Sequence, residues 1–437
     1  MDQRQLKRDL GPWPAAALVV GITIGTGVFL KTSVMARAGG SATWVLVAWI
    51  AAGVLSFTGA LTSAELGGRW PRAGGEYVFL REGYGPAYGF LYAWNRFWIG
   101  TPGSIAAYAV GTTTFFGSVV PMDGMTAKLV RLGLIALLTA LNCARVIVGG
   151  AVQTVLTGIK VAMIVGLALG ALAFAHGGDP ARITANAGWP GWSAFGAMII
   201  AALWAYDGWN NLPSVAGELR DPERTVATAT ILGTLAVIAI YLLVNVGYFY
   251  ALPFDAVAAS SSVAQATAAT FLGGGAQLVL ALAMALSTVS AMNGSILSNA
   301  RIPFAAARDG VAPQVIARLS PRSNVPVTSL IVQGCVAGVY AYIGNFDELT
   351  DAVIVVSWMF YGANALTVIR LRKRSPPPAY RTPGYPIVPA LFVAVSVLLI
   401  VNSVWTAPRT SVLGLVVTAV GALIYFFIYR PRRTPSP

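Results

Sequence analysis

The sequence predicts an all-α polytopic membrane protein with twelve transmembrane helices. Of its 437 residues, 56% are hydrophobic and only 10% are charged, whereas soluble domains carry about 25% charged residues. Helices one and six are each interrupted in mid-span, and they open the first and second groups of five crossings. We therefore expect two repeats of inverted topology, with discontinuous helices one and six, followed by two additional helices.

Each predicted span offers the roughly 20 apolar residues that one crossing needs. An even number of spans puts both termini on one side, and the segments enriched in Lys and Arg assign that side to the cytoplasm. The predicted spans are 12–36, 41–68, 84–119, 125–144, 147–175, 192–217, 225–252, 263–304, 327–345, 349–371, 385–406 and 409–430. The corresponding units are a cytoplasmic N-terminus at 1–11, a first repeat at 12–175, a second repeat at 192–371, two added helices at 385–430 and a cytoplasmic tail at 431–437.

Helix one contains Gly21, Gly25 and Gly27 within one apolar stretch. A helix in hydrocarbon can be broken only where the freed backbone groups face a protein-lined cavity, because there is no water to bond them. Small residues also let a neighbouring helix approach closely. The stretch by itself is compatible with a binding site or with close packing.

Helix six is interrupted at Asp207 and Gly208, and Pro213 follows in the next turns. Two broken helices at corresponding positions of two repeats indicate the binding site of a secondary transporter. A channel would instead need a repeated filter or a ring of charge, and we identify no such sequence element.

Lys160 is the deepest ionisable residue of the predicted helix five. It lies thirteen residues from Ile147, about 20 Å along a helix, which is too far for the ammonium group to snorkel to the interface. A charge at this depth favours a functional role. Arg96 and Glu65 lie closer to predicted cytoplasmic ends, so for them we expect snorkelling.

The segment 68–85 is too charged to cross a bilayer and too apolar for a plain tether. We expect a short amphipathic helix at the cytoplasmic interface. Two interpretations remain open: a solvated loop anchored by Trp70 and Tyr77, or an element that moves as an inner gate.

Composition also limits partners and cofactors. The 29 Lys and Arg residues outnumber the 16 Asp and Glu residues, but they lie between apolar spans rather than on the exposed basic surface that nucleic acid binding needs. Cys143 and Cys335 lack metal-ligand spacing and do not suggest a disulfide framework, and a single histidine, His176, excludes multi-histidine ligation. We expect no cofactor, no metal, no nucleic acid partner and no cleaved signal peptide.

Several separated motifs together resemble the amino acid/polyamine/organocation transporter superfamily, and within it the L-amino acid transporter branch. The resemblance runs from about Leu10 to the end of helix twelve. The motifs are GITIGTGVF at 21–29, PRAGGEYV at 71–78, LNC at 141–143, Lys160, AYDGWNNL at 205–212, ELRDPER at 218–224, NGS at 293–295, and Ser298, Arg301, Ala307, Arg308, Asp309 and Gly310.

The resemblance implies a LeuT-like core that alternates access to a central amino acid site. Backbone N–H groups of the unwound part of helix one would hold the substrate carboxylate, as expected for the positive end of a half-helix. Backbone carbonyls would meet the substrate ammonium, and Trp204 would either gate the site or pack as core. The positions assigned to the substrate are Thr23, Gly25, Thr26, Gly27, Trp204, Ala205 and Asp207.

In similar sodium-independent members a lysine at the position of Lys160 lies where sodium would otherwise bind, with Ser287 or Ser290 as neighbours here. This argues against sodium coupling, while burial leaves proton coupling through Lys160 open. The resemblance therefore implies a sodium-independent exchanger of neutral L-amino acids in a bacterial-type inner membrane. Asp207 departs from the branch pattern and favours the alternative, a carrier of cationic amino acids or polyamines.

Animal members of the branch bind a single-span glycoprotein through a cysteine between helices three and four. The corresponding loop here, residues 119–125, contains no cysteine. We therefore expect no disulfide-linked heavy subunit. The expected partners are the amino acid substrate and the lipid bilayer, with the chain as a monomer or a weak homo-oligomer.

Overall fold

The computed structural model describes residues 6–117, 119–184, 188–344, 346–372, 377–406 and 408–429, which are predominantly helical. Short 3-10 or π-helical segments interrupt or extend several of the helices. The α-helices in chain order are α1 Pro12–Thr23, α2 Gly27–Arg37, α3 Ala42–Arg69, α4 Glu76–Tyr84, α5 Pro86–Asn95, α6 Thr101–Gly117, α7 Gly124–Ala144, α8 Val146–Phe174, α9 Ala181–Thr184, α10 Trp192–Ala205, α11 Pro222–Ala251, α12 Phe254–Ala259, α13 Val263–Leu272, α14 Ala276–Asn299, α15 Arg301–Arg308, α16 Val327–Ile343, α17 Phe346–Leu371, α18 Ile387–Thr406 and α19 Pro408–Ile424.

Apolar segments of membrane-spanning length dominate this fold. Large apolar side chains such as Leu398, Val401 and Leu413 are exposed on the outer helices α18 and α19, where lipid offers them an apolar solvent. The chain is thus an integral membrane protein with several apolar spans. Within the described ranges, seven segments are long and apolar enough to cross a membrane: Pro12–Arg37, Ala42–Arg69, Gly124–Ala144, Val146–Phe174, Pro222–Ala251, Leu278–Arg308 and Ser411–Tyr429.

Helix α1 lies inside the bundle, where it packs against α8, α11 and α14. Three further pairs of helices pack extensively, namely α3 with α11, α6 with α14, and α7 with α16. The last two helices, α18 and α19, contact α17. Both helix breaks are consequently surrounded by other helices.

The structure interrupts both helices where the sequence predicts an interruption. Helix α1 ends at Thr23 and α2 begins at Gly27. Helix α10 ends at Ala205, and the chain resumes as a 3-10 helix at Trp209–Glu218. A 3-10 helix of this length is unusual, and Pro213 inside it lacks the N–H group that an α-helix would use.

The predicted continuous span 263–304 is wrong. The structure divides this region into α13, a 3-10 turn at Gly273–Gly275, α14 and α15. Gly273 adopts a φ of 62°, a left-handed conformation that glycine adopts without a steric penalty. The hydropathy pattern did not reveal this turn because the residues around the glycines are apolar on both sides.

The predicted short helix within 68–85 is confirmed as α4. Its apolar residues Tyr77, Val78, Phe79 and Leu80 are buried, and the helix packs against α5 and α17. The interpretation as a solvated loop is therefore wrong. A gating movement of α4 stays a prediction.

Candidate functional site

The two helix breaks contact each other directly. A Cβ atom added to Gly27 would lie 2.6 Å from the Cα atom of Ala205, at the end of α10. A Cβ atom added to Gly208, whose φ is 139°, would lie 2.8 Å from the backbone nitrogen of Thr23. Glycine is needed at both positions because the two backbones approach too closely for any side chain.

Lys160 reaches the first break from α8. Its Nζ atom donates hydrogen bonds to the carbonyl oxygen of Gly21 at 2.6 Å and to that of Ile24 at 2.5 Å. The lysine is 1% exposed, so it does not snorkel to an interface. The Nζ atom instead lies against carbonyl groups at the C-terminal end of α1, where the helix dipole favours a cation.

Serine residues of α14 lie on the same side of the break. The Ser287 hydroxyl donates to the carbonyl oxygen of Ile24 at 3.2 Å and is 3.4 Å from that of Gly25. The Ser290 hydroxyl lies 3.5 Å from the hydroxyl of Thr157 on α8. Ser287 therefore contacts the broken backbone itself, whereas Ser290 lies one helical turn further along α14.

Tyr241 on α11 connects the two breaks and was not identified from the sequence. Its hydroxyl is 2.9 Å from the carbonyl oxygen of Thr23 and 2.9 Å from that of Ala205. The ring is fully buried against Trp49 and Tyr206. One of three tyrosines in an apolar helix is a weak sequence signal because aromatic residues are common in ordinary cores.

The first turn of α2 presents N–H groups to the break rather than carbonyl groups. The N–H groups in the first turn of an α-helix have no partner inside the helix, and the side chain of Thr26, the residue before α2, caps none of them. Thr26 and Gly27 are buried. The break thus offers buried N–H donors and the positive end of a helix dipole to a small anionic group.

Asp207 and Trp204 lie at the second break. The Asp207 carboxylate accepts a hydrogen bond from the Tyr361 hydroxyl at 2.9 Å, and its backbone N–H donates to the carbonyl oxygen of Trp204 at 3.2 Å. The Lys31 ammonium lies 6.0 Å from the centre of the Trp204 ring, within cation–π range. Trp204 therefore contacts α2 next to the first break.

After the second break, residues of the 3-10 helix bond the buried side chains of Glu76 and Arg96. Glu76 accepts hydrogen bonds from Asn210 at 3.0 Å and from Tyr92 at 2.6 Å. Arg96 donates to the side-chain oxygens of Asn299 at 2.5 Å and Asn211 at 3.3 Å. Burial raises the pKa of the Glu76 carboxyl group, and the hydrogen bond from Tyr92 lowers it in part.

The expected snorkelling of Arg96 and Glu65 is wrong. Arg96 is only 6% exposed and Glu65 only 1% exposed. Glu65 instead accepts hydrogen bonds from the Arg372 side chain at 3.0 Å and from the Thr382 backbone at 2.7 Å. Glu65 also lies 3.7 Å from Arg69, one turn along α3. The other partners lie far along the chain, so distance to the nearest helix end could not reveal these contacts.

The N-terminal end of α1 and the C-terminal end of the 3-10 helix are also joined. Leu10 pairs with Leu219 in an isolated parallel bridge, supported by a bond of 2.9 Å from the Leu10 N–H to the Glu218 carbonyl oxygen. The Glu218 carboxylate in turn accepts two hydrogen bonds of 2.9 Å from Arg301. The two broken helices are therefore connected at the break and again at this end.

The chain is similar to known proteins over nearly its full length. A family model described as amino acid permease matches residues 10–429. The serine/threonine exchanger SteT of Bacillus subtilis is 30% identical over 427 residues, which cover 96% of this chain and 97% of that protein.

Two mammalian proteins extend the comparison. The b(0,+)-type amino acid transporter 1 of Mus musculus is 28% identical over 433 residues, covering 97% of this chain and 88% of that protein. The large neutral amino acids transporter small subunit 2 of Rattus norvegicus is 28% identical over 434 residues, covering 96% of this chain and 80% of that protein.

Two helix breaks that meet inside a bundle of apolar spans define a membrane transporter. The chain belongs to the amino acid permease family of the amino acid/polyamine/organocation superfamily. It is an amino acid transporter rather than an enzyme, and its relatives include a serine/threonine exchanger.

Proposed function

We propose that this protein is a sodium-independent exchanger of neutral L-amino acids that works by alternating access. The contact between the Lys160 ammonium and the carbonyl oxygens of Gly21 and Ile24 carries the proposal. Carbonyl groups at a helix break are the ligands that a sodium ion would use in a broken-helix transporter. A covalently attached cation that occupies these carbonyls makes a transported sodium ion unnecessary.

The substrate site in this proposal lies between the two breaks. The N–H groups of Gly25, Thr26 and Gly27 bind the substrate carboxylate. The first turn of α2 lacks a side-chain cap, and the Gly25 N–H, which donates to the Thr23 carbonyl oxygen at 2.9 Å, exchanges that bond for one to the carboxylate. Carbonyl groups at the breaks receive the substrate ammonium. They belong to Thr23, Trp204 and Asp207, and Ala205 and the Trp204 ring border the site.

Tyr241 couples binding of the ammonium group to the contact between the breaks. Its hydroxyl already bonds the Thr23 carbonyl oxygen, so an ammonium group that binds there has to share this acceptor. Any weakening of the Tyr241 bond loosens the link between Thr23 and Ala205. Substrate binding and movement at the breaks would thereby depend on one another.

For the architecture we propose twelve transmembrane helices in two inverted repeats, at 12–175 and 192–371, with two additional helices at 385–430. The extensive packing of α3 on α11, α6 on α14 and α7 on α16 supports this proposal. In two repeats related by a pseudo-twofold axis, these are pairs of equivalent helices.

We propose a bacterial-type inner membrane location with both termini, 1–11 and 431–437, in the cytoplasm. The distribution of Lys and Arg between the loops supports this orientation. We also propose a monomer or a weak homo-oligomer without a disulfide-linked subunit. The loop 119–125 contains no cysteine, and Cys143 and Cys335 lie elsewhere, in the lining of an apolar groove between α7 and α16.

The test is uptake of radiolabelled amino acids into proteoliposomes that contain the purified protein. We expect uptake of a neutral L-amino acid to require unlabelled amino acid inside and to be unchanged when external sodium is replaced by choline. Protein-free liposomes provide the background. A strict sodium requirement would contradict the assignment of Lys160, and uptake that is independent of internal substrate would contradict exchange.

Asp207 supports a second candidate, transport of cationic amino acids or polyamines. Its carboxyl group accepts a hydrogen bond from the Tyr361 hydroxyl, and a carboxylate beside the break would attract a cationic side chain. The same proteoliposomes, loaded in turn with lysine, arginine, putrescine and neutral amino acids, distinguish the two candidates. Stimulation by cationic substrates alone would favour the second one.

A further inference from the structure

A row of buried polar side chains leads along α8 to Lys160. Gln153, Thr157 and Lys160 follow one another at intervals of four and three residues, so they share one face of the helix. All three are buried in a bundle of apolar spans, where a polar side chain is costly unless it is hydrogen-bonded. The partners of Gln153 and Thr157 therefore indicate what this row does beyond the contact of Lys160 already described.

The partners of the row are backbone carbonyl groups of α1 and the first break, at the same spacing. The Gln153 amide and the Thr157 hydroxyl donate to the carbonyl oxygen of Ala17, at 3.3 Å and 3.1 Å. The Lys160 Nζ atom extends the row to two further carbonyl oxygens. Bonds at matched positions over two helical turns define one register of α8 along α1. The three acceptors, again at intervals of four and three residues, are Ala17, Gly21 and Ile24.

The two helices approach each other closely at this row. A Cβ atom added to Gly21 would lie 2.2 Å from the Gln153 amide nitrogen and 2.2 Å from the Thr157 hydroxyl oxygen. A side chain at position 21 would therefore displace both donors from the Ala17 carbonyl oxygen. Gly21 thus serves the contact between α1 and α8, as small residues at helix contacts in membranes do.

Gln153 is in turn held by amide side chains from two further helices. Asn293 on α14 donates to the Gln153 side-chain oxygen at 3.0 Å, and Asn142 on α7 donates to the Asn293 side-chain oxygen at 2.9 Å. All three amides are buried. The donors of this amide chain, Asn142, Asn293 and Gln153, run in one direction from α7 to α1, and hydrogen bonds in such a chain strengthen one another. The chain therefore anchors the Ala17 carbonyl group to three other helices.

This anchoring bears directly on Lys160. A lysine carries a compact charge on a flexible four-carbon stem, so it contacts two particular carbonyl groups only if both backbones are held in place. The Ala17 carbonyl group lies one helical turn before that of Gly21. Bonds to Ala17 therefore restrain sliding and rotation of α1 against α8 right beside the Lys160 contact.

We infer that Gln153 and Thr157 are positioning residues, which hold α1 in the register at which Lys160 contacts its two carbonyl groups. The inference rests on the proposed function, in which Lys160 occupies the place of a transported sodium ion. Neither residue touches the substrate in that proposal. Both act through Lys160 and through the backbone of the first break, which binds the substrate.

The first test measures amide hydrogen–deuterium exchange of α1 in the purified full-length protein. Gln153→Leu removes the amide at similar side-chain volume and should raise the deuterium exchange rate of Pro12–Thr23 about fivefold, because α1 loses a buried hydrogen bond. The matched control is Gln333→Leu on α16. Gln333 is also buried, but its amide nitrogen has no hydrogen-bond partner within the part of the chain that the structure describes. Unchanged deuterium exchange in Gln153→Leu, or an equal rise in the control, would overturn the inference.

The second test compares variants of Thr157 in proteoliposomes. Thr157→Val keeps the shape of the side chain without the hydroxyl and should lower the maximal rate of amino acid exchange about fivefold. Thr157→Ser restores the hydroxyl and should recover the rate to within about twofold. Thr154→Val is the matched control on α8, because the Thr154 hydroxyl donates to the Gly150 carbonyl oxygen of its own helix. An equal loss in Thr154→Val, or no recovery in Thr157→Ser, would overturn the inference.

A double-mutant cycle separates positioning of Lys160 from general support of the fold. Gln153→Leu alone should lower amino acid exchange about tenfold. If Gln153 acts through Lys160, adding Gln153→Leu to Lys160→Met should cause no further loss, whereas independent losses multiply. Multiplied losses would overturn the inference. The deuterium measurement needs no substrate, so it decides the inference even if the protein does not exchange neutral amino acids.

Discussion

The two helix breaks meet in space, yet their backbone groups are satisfied in different ways. At the first break, distant helices supply the donors, because Lys160, Ser287 and Tyr241 all bond carbonyl oxygens of residues 21–25. At the second break Tyr241 also reaches the Ala205 carbonyl oxygen, but the backbone that follows bonds locally, as when Asn211 donates to the carbonyl oxygen of Gly208. Its longer contacts are made by side chains, such as Asp207 with Tyr361.

This difference gives the two breaks different roles in the site: the first supplies a fixed backbone and the second supplies side chains. Donors from three helices fix the backbone of the first break, so its free N–H groups are held in position before a substrate arrives. The second break contributes side chains whose replacement leaves its own backbone bonds in place. We therefore expect substitutions at the first break to abolish transport and those at the second to change selectivity.

Gly27→Ala should have the largest effect. The new Cβ atom would lie 2.5 Å from that of Ala205, so the two breaks have to move apart. A displacement of this kind in a binding site can reduce a rate by about a hundredfold, and we expect a loss of exchange of that order. Initial exchange rates in proteoliposomes measure it.

The matched control for Gly27→Ala is Gly158→Ala, because no atom lies within 4 Å of the Cβ position there. Its exchange rate should equal that of the original protein. If Gly27→Ala exchanges as fast as this control, the two breaks are not held together during transport.

Lys160→Ala should leave the protein folded and lower exchange by about tenfold or more, since it removes two charge-assisted hydrogen bonds to a broken backbone. Lys160→Met keeps most of the side-chain volume without the charge and should be equally slow. Size-exclusion profiles confirm folding of both variants. Restored exchange in Lys160→Met would assign the role of Lys160 to packing.

The sequence predicted both breaks because their signals are local. Glycines within an apolar span, and Asp207 followed by Gly208, identify an interruption without knowledge of the partners. The depth of Lys160 could likewise be obtained from spacing along one helix. Tyr241, Arg96 and Glu65 could not be assigned, because their roles depend on residues that are distant in the chain. The turn at Gly273 was missed since hydropathy does not distinguish one long apolar helix from two.

Tyr241→Phe should lower exchange by roughly fivefold, because the single O–H hydrogen donates to one of the two carbonyl oxygens at a time, and one such bond is worth about 1 kcal/mol. Tyr248→Phe is the matched control on the same helix, since within the described part of the chain its hydroxyl has a single long contact, 3.5 Å from the Val28 carbonyl oxygen. Exchange assays on both variants measure how much of the loss is specific to the Tyr241 hydroxyl. Equal losses would show that the aromatic ring environment, rather than the link between the breaks, matters.

Asp207→Asn should have the smallest effect on neutral substrates, about twofold or less, because the amide oxygen can still accept the Tyr361 hydrogen bond. The substitution removes a negative charge without changing the side-chain size, so any exchange of lysine or putrescine should fall more than exchange of neutral amino acids. Competition of each amine with a labelled neutral amino acid measures the ratio. A loss confined to neutral substrates would contradict a pocket in which the carboxylate selects by charge, and would instead place Asp207 among the groups that position the backbone of the second break.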